Sequence, residues 1–474
     1  MENEHFCDTL QAKYKNGFIT MQITYTNAFD SIVLRYNEIG LKGGNRWRFE
    51  KRFTDNILHI LKEIDDLDFL RDRGRIAIIK KDYSPFDEDE IEIINERLPL
   101  AFGLESFSPA FLSEPKWKKI KKLVLANFDD AYQAHIAEKG EGQKLAYRTR
   151  AKRSFKKFPL TSREIEIEVA TEVMEKYPRL KLSLDEPEFT VGVEVRDEMA
   201  FVYFEKISGP GGLPVGASAP VLALMSGGID SPVACYQTMK RGSHVDYLTF
   251  HSHPYTSLNV LEKIAKLVNL LNEYQINGRY LACNMMEAQK MIRDRCKPRL
   301  RTILYRRVMM RVSNIVAEYL GAEALLTGEA VGQVASQTIS NMTSIDDASE
   351  LLVLRPLVGY DKNDAIKIAR RIGSYRISNI PAEDSCTVFA PKAPATSSKI
   401  GICAHEEKRF DMDAAIKDCL KNIVLIDPET MEEEEIPALT TIYEKCFQSR
   451  WFPELIEVTE EESDSEETPA DSAE

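Results

Sequence analysis

No apolar run in the 474-residue sequence approaches the roughly 20 residues that a membrane-spanning helix needs. The first ten residues include acidic side chains and no apolar core, so a secretory leader is not expected. Cysteine is scattered rather than patterned: the eight residues lie at 7, 235, 283, 296, 386, 403, 419 and 446, with no C-x-x-C pair. That spacing excludes a disulfide scaffold and a local zinc knuckle, and it fits a reducing cytoplasm. No internal repeat is visible. These absences leave a cytoplasmic globular protein, and at this length two or three domains are expected.

Hydrophobic residues make up 43% of the chain and charged residues 29%, as in ordinary folded domains. The net charge of −13 is unevenly placed. Residues 454–474 hold ten Asp or Glu and no Lys or Arg, so the remainder carries only about −3. A tail over 451–474 is expected to be disordered. Against it stand two basic runs. Residues 147–158 (YRTRAKRSFKKF) contain Arg148, Arg150, Lys152, Arg153, Lys156 and Lys157, and 116–122 (KWKKIKK) contains Lys116, Lys118 and Lys119 with two further lysines. One such run is most simply a solvated face. Two runs in one region, with aromatic residues between them, point to a surface for a phosphate backbone.

The periodicity divides the chain further. Residues 1–27 are weakly patterned and are set aside as an extension. Over 28–100, the strand-like 31–36 precedes a helix that Asn45 can cap, with Phe53, Ile57, Ile60, Leu61 and Ile64 on one face. A strand at 75–80 and a helix at 87–98 complete a small α+β domain. A second α/β unit spans 101–206, with helices expected at 116–137 and from Thr161 or Ser162 to 174, and strands at 144–150, 189–195 and 200–204. Gly and Pro dominate 207–217 (ISGPGGLPVGA), which reads as a linker. From 218 to 450 strands at 221–225, 245–250, 279–283 and 324–327 alternate with helices, the pattern of a doubly wound parallel sheet. Ligands in such sheets sit at the carboxyl ends of the strands, here just after 225, 250 and 327.

Directly after the first of those strands stands SGGIDS, residues 226–231. Gly227 and Gly228 allow a close backbone approach to an anion, Asp230 and Ser231 can cap the following helix, and Pro232 suits its first position. The amides of the first turn would then face a phosphate. No Lys-Ser or Lys-Thr follows the glycines, so this is not the G-x-x-x-x-G-K-[ST] loop. The plainer alternative is a strand–turn–helix corner with no ligand.

SGGIDS resembles the phosphate loop of the pyrophosphate-loop ATPases, which transfer AMP to a substrate oxygen. Other segments narrow the resemblance to the tRNA 4-thiouridine synthase family: RYNEIGLKGGNRWRFE at 35–50, RAKRSFKKFPLTS at 150–162, HSHPYTS at 251–257, TGEAVGQVASQT at 327–338, LRPLVGYDKNDAIKIAR at 354–370 and EDSCTVFAPKAPAT at 383–396. The resemblance runs from about 31 to about 400. It implies an N-terminal ferredoxin-like domain, a THUMP RNA-binding domain and an ATPase domain. It also implies that ATP contacts Leu224, Met225, Ser226, Gly227, Gly228, Ser231, Thr249, Phe250, Arg306, Gly328 and Gln337. Asp230 is then the loop carboxylate tied to Mg2+ and catalysis, Lys362 a needed lysine, and Cys386 the carrier of a persulfide sulfur. Apart from the resemblance, Asp361 reads as a helix N-cap with Asp364 three residues on, and Lys362 as a surface lysine. The implied product is 4-thiouridine at position 8 of tRNA. The implied partners are tRNA and a cysteine desulfurase or other sulfur donor, with a homodimer left open and no membrane.

Two departures qualify this reading. Some relatives end in a rhodanese domain that delivers the persulfide and also serves thiamine synthesis, whereas only 55 residues follow Cys419 here. Others carry C-x-x-C where this chain has His251 and His253, which read more simply as structural than as metal ligands. The sulfur source therefore stays open, with free sulfide an alternative and Cys283, Cys296 and Cys403 the internal candidates for a second thiol. Two other readings compete: a pyrophosphate-loop ligase or carrier-protein sulfurtransferase, and a non-catalytic tRNA-binding protein with a relic ATPase fold.

Overall fold

The computed structural model describes residues 28–72, 75–137, 139–140, 142–382 and 388–453. The extension at 1–27, Cys386 and the acidic stretch from 454 onward lie outside the described residues. Two compact units meet in sequence between Ala217 and Ser218, with Lys240–Gly242 counted in the first. No helix among the described residues is long and apolar enough to cross a membrane.

The first unit is built on one sheet. Its strands are β1 (Ser31–Arg35), β2 (Leu67–Asp72), β3 (Arg75–Lys80), β4 (Ser106–Ser113), β5 (Leu145–Arg153), β6 (Leu180–Leu182), β7 (Phe189–Val195), β8 (Ala200–Tyr203) and β9 (Ile207–Ser208). They run in the order β2-β3-β1-β4-β8-β7-β5-β6, with β9 paired to β4. No break in the sheet falls at residue 100: β4 pairs antiparallel with β1 and with β8. Four helices cover it, Arg46–Ile60, Glu88–Arg97, Trp117–Ile136 and Ser162–Lys176. Two of them start on capping boxes, in which Asp87 accepts from the Glu90 amide and Thr161 from the Glu164 amide while each glutamate reaches back to the cap. The expected cap at Asn45 does not form. The chain enters through a 3-10 turn, Gly43–Asn45, so Asn45 is already in helical conformation and its side chain makes no capping bond. The expected linker is also largely strand, because β9 begins at Ile207 and the next strand begins at Leu213.

The second unit holds β10 (Leu213–Leu224), β11 (Arg241–His251), β12 (Tyr280–Asn284), β13 (Ala324–Leu326), β14 (Leu352–Leu354), β15 (Ile423–Ile426) and β16 (Glu433–Glu435), in the order β14-β13-β10-β11-β12-β15-β16. β10 with β13, β13 with β14 and β11 with β12 pair in parallel. The parallel sheet expected from the sequence is thus extended by two antiparallel strands, β15 on β12 and β16 on β15. From β10 the chain builds first toward β11 and β12 and later, on the other side, β13 and β14. The order reverses at β10, where such sheets bind ligands. Leu222, Leu248, Leu281 and Leu325 form the sheet's buried layer with Ile303, Leu304, Val308, Val312 and Ile315 of the Arg301–Leu320 helix. At the far end Trp451 packs on Tyr443 and Phe447, so the unit continues past the expected tail boundary.

Candidate active site

The carboxyl ends of β10, β11 and β13 open onto a cavity of about 590 Å³. Every residue assigned to the nucleotide from the sequence lines it: Leu224, Met225, Ser226, Gly227, Gly228 and Ser231, then Thr249 and Phe250, and then Arg306, Gly328 and Gln337. Asp230 lines it as well.

Local chemistry shapes the glycine loop. The Ser231 hydroxyl donates to the Ser226 carbonyl at 2.9 Å and accepts from the Ser226 amide at 3.1 Å, closing the turn on itself. The Met225 amide donates to the Leu248 carbonyl, and the Thr249 hydroxyl donates to the Met225 carbonyl, which ties the strand end to β11. Asp230 and Ser231 are the first two residues of the Asp230–Met239 helix rather than its caps, because both side chains are engaged elsewhere. Pro232 therefore falls third in the helix, still within the first turn, where an amide needs no intrahelical partner. Gly328 permits a close approach, since a Cβ there would lie 2.6 Å from the Ser231 nitrogen.

Charge is arranged in two pairs. Lys362 donates to both carboxylate oxygens of Asp230, at 2.9 and 2.8 Å, and Gln333 donates to one of them at 2.8 Å. Lys362 opens the Lys362–Arg371 helix, which Asp361 caps by accepting from the Asp364 amide, as the sequence suggested. Deeper, Arg306 pairs with Glu329, whose other oxygen accepts from Arg355 at 2.8 Å and Thr327 at 3.1 Å. Glu329, Arg355 and Lys263 were not singled out from the sequence. The first two lie inside the motif segments at 327–338 and 354–370, whereas Lys263 carries no local signal.

His251 is buried at the end of β11, and burial, with His253 beside it, pushes its imidazole down to about 4. A depressed histidine is neutral when folded, so its contribution to stability is full above about pH 6.5 and falls as pH drops toward 4. Urea unfolding at pH 7.5 and pH 5 should show a loss of about 2 kcal/mol from this group. His251→Gln should flatten that difference, and an unchanged pH dependence would refute the assignment. The thiols at Cys283, Cys296 and Cys403 are all buried. Burial raises each of them, Cys296 to about 11, so none offers a ready thiolate.

The basic residues of the first unit separate on inspection. Arg148 donates to the Leu184 carbonyl and Arg153 to the Phe158 carbonyl, which makes both partly structural. Lys116 and Lys119 pair with Glu114. Arg150, Lys152, Lys156, Lys157 and Lys118 are exposed. Arg148, Arg150 and Lys152 alternate along β5 with the buried Tyr147, Thr149 and Ala151, so the charged set shares one face of the strand.

Comparison with known proteins gives a consistent picture. The family described as ThiI ferredoxin-like domain matches residues 31–108, THUMP domain matches 118–205, and Thiamine biosynthesis protein (ThiI) matches 216–412. The chain is 36% identical over 406 residues to a Brevibacillus brevis protein named "Probable tRNA sulfurtransferase", covering 86% of this chain and 98% of that one. A Moorella thermoacetica protein of the same name is 37% identical over 403 residues, covering 85% and 99%. Among solved structures, a 4-thiouridine synthetase–RNA complex with bound ATP superposes with a TM-score of 0.74 at 33% identity, covering 84% of this chain and all of that one (100%).

Proposed function

The chain belongs to the tRNA sulfurtransferase family, and we propose that it uses ATP to adenylate a uridine of tRNA and then replaces O4 with sulfur, giving 4-thiouridine. The observation that carries this reading is the cavity at the β10 switch point, where the glycine loop, Arg306 and Asp230, itself paired with Lys362, converge.

The chemistry follows from these groups. The loop amides and the start of the Asp230–Met239 helix favour the phosphates of ATP, and Phe250, Met309 and Met310 offer an apolar wall for its base. O4 of the uridine attacks the α-phosphorus and pyrophosphate leaves. Lys362 and Arg306 are placed to offset the charge that develops. Asp230 is the carboxylate suited to Mg2+, which when bound screens the phosphates. No group of three or more metal-binding side chains occurs among the described residues, so the phosphates themselves would complete its ligands.

Sulfur then attacks C4 and AMP leaves. If the sulfur comes from a persulfide on Cys386, an S–S bond to the enzyme remains and a reductant must cleave it. The raised thiols at Cys283, Cys296 and Cys403 favour an external reductant, or free sulfide, over any of these three as the second thiol. The uridine is position 8 by family resemblance.

The test is pyrophosphate release from ATP with tRNA present, with tRNA absent, and with a carrier protein in its place. Release only with tRNA supports the reading, and release with the carrier alone overturns it. For RNA binding, the triple substitution Arg150→Gln, Lys152→Gln and Lys156→Gln should weaken tRNA affinity. It should also reduce the log–log salt slope by about 2 to 3, at roughly 0.7–0.9 per lost phosphate contact. An unchanged slope would put the RNA elsewhere.

A further inference from the structure

One buried cation in the second unit has no carboxylate partner among the described residues. Lys263, on the Asn259–Asn272 helix, is only 7% exposed and lines the cavity. Its ammonium donates to two backbone carbonyls, Ser378 at 2.8 Å and Ile380 at 2.7 Å. Its side chain also lies under the glycine loop: a Cβ on Gly227 would meet Cε and Nζ of Lys263 at 3.3 Å. A second tie joins the same elements, since the Ser378 hydroxyl donates to the Gly228 carbonyl at 3.2 Å.

A buried ammonium bonded only to carbonyl dipoles has no opposite charge to offset it, and desolvation without a counter-ion is costly. Such a charge is compensated when an anion enters beside it. The residues nearest to it form the loop that, in the reading above, receives the phosphates. The carbonyl pair also makes Lys263 the strap that holds 378–380 against that loop. Ser378, Ile380, Pro381 and Ala382 all line the cavity, so the strap sets one of its walls.

We infer that Lys263 is a positioning residue with two linked roles: it fixes the 378–382 wall against the phosphate loop, and it reserves its charge for the phosphates of the bound nucleotide. The inference rests on the proposed ATP site for its second role and on the unliganded protein for its first. It predicts discrimination by charge. Lys263→Met should weaken ATP binding by about tenfold or more and leave adenosine binding within about twofold, because only the phosphates meet the ammonium.

Lys263→Met should also speed hydrogen exchange of the amides within 378–382 (all but Pro381, which has none) about tenfold without nucleotide, with β10 and β11 exchanging as in the wild type. Lys263→Arg, which keeps charge and donors, should restore both properties to near wild type.

The experiment is calorimetric titration of ATP and of adenosine into the full chain, together with hydrogen exchange on the unliganded protein, for wild type and both variants. Selective loss for ATP with faster exchange at 378–382 supports the inference. Equal losses for ATP and adenosine, or unchanged exchange at 378–382, overturn it. A wild type that binds no ATP while the exchange arm still responds would refute the nucleotide reading and leave the strap standing.

Discussion

Asp230→Ala should reduce tRNA-dependent pyrophosphate release by a factor on the order of 10² to 10³, with Lys362→Ala close behind, while tRNA affinity stays within about twofold. The two side chains form one unit, with Lys362 bonded to both oxygens of Asp230. Removing the carboxylate takes away the oxygens proposed to hold Mg2+ and leaves Lys362 without its anchor. Removing the lysine takes away a cation aimed at developing phosphate charge. Because the groups act together, the double variant should be little worse than either single one. The affinity for tRNA is spared because the exposed basic set on β5 belongs to the other unit. Single-turnover pyrophosphate assays with filter binding of tRNA check both halves. A wild-type rate in either variant would remove these residues from the catalytic set.

The second large effect concerns sulfur. Cys386→Ser should abolish 4-thiouridine formation from a persulfide donor, a loss of at least about 10³-fold, yet keep pyrophosphate release near wild type. In the proposed mechanism, activation of the base uses the loop, Asp230 and Lys362. Only delivery needs a thiol that can hold a second sulfur. Added sulfide should restore product in the variant, because sulfide can attack the activated carbon directly. Wild-type persulfide-dependent activity in Cys386→Ser would exclude a carrier role.

Much of this architecture was legible in the sequence because local rules agreed with the fold. Thr161 or Ser162, and Asp361, were read as helix starts, and Thr161 and Asp361 cap with their side chains. SGGIDS could be placed at a strand end without any neighbour in view, and the three strand ends that the doubly wound pattern pointed to do converge on one cavity. Seven strands escaped, β2, β4, β6, β9, β14, β15 and β16, and four of them show why. β4 contains Pro109, which cannot donate to the ladder, and yet it is central, paired on both sides. β2 is an edge strand that mixes charged and apolar residues, and β16 is three glutamates held only by pairing to β15. β6 is a three-residue strand, too short to show a pattern. Such segments are strands because of their partners, not their own pattern.

The same distinction divides the site. The glycine loop is a local motif, whereas Lys263 and Glu329 matter through contacts 115 residues (Lys263 to Ser378) and 26 residues (Glu329 to Arg355) away in sequence. No periodicity encodes those contacts. Asn45 failed as a cap because the preceding turn, and not the residue type, decided the helix entry.

The central claim is that this chain converts a tRNA uridine to 4-thiouridine at the expense of ATP. Mass analysis of nucleosides from unmodified tRNA, incubated with the purified protein, ATP, Mg2+ and sulfide, tests it most directly. The account predicts 4-thiouridine in amounts matching the AMP and pyrophosphate released, and none when ATP is omitted. Thiolation that proceeds without ATP, or ATP cleavage with tRNA that leaves every uridine unchanged, would contradict it.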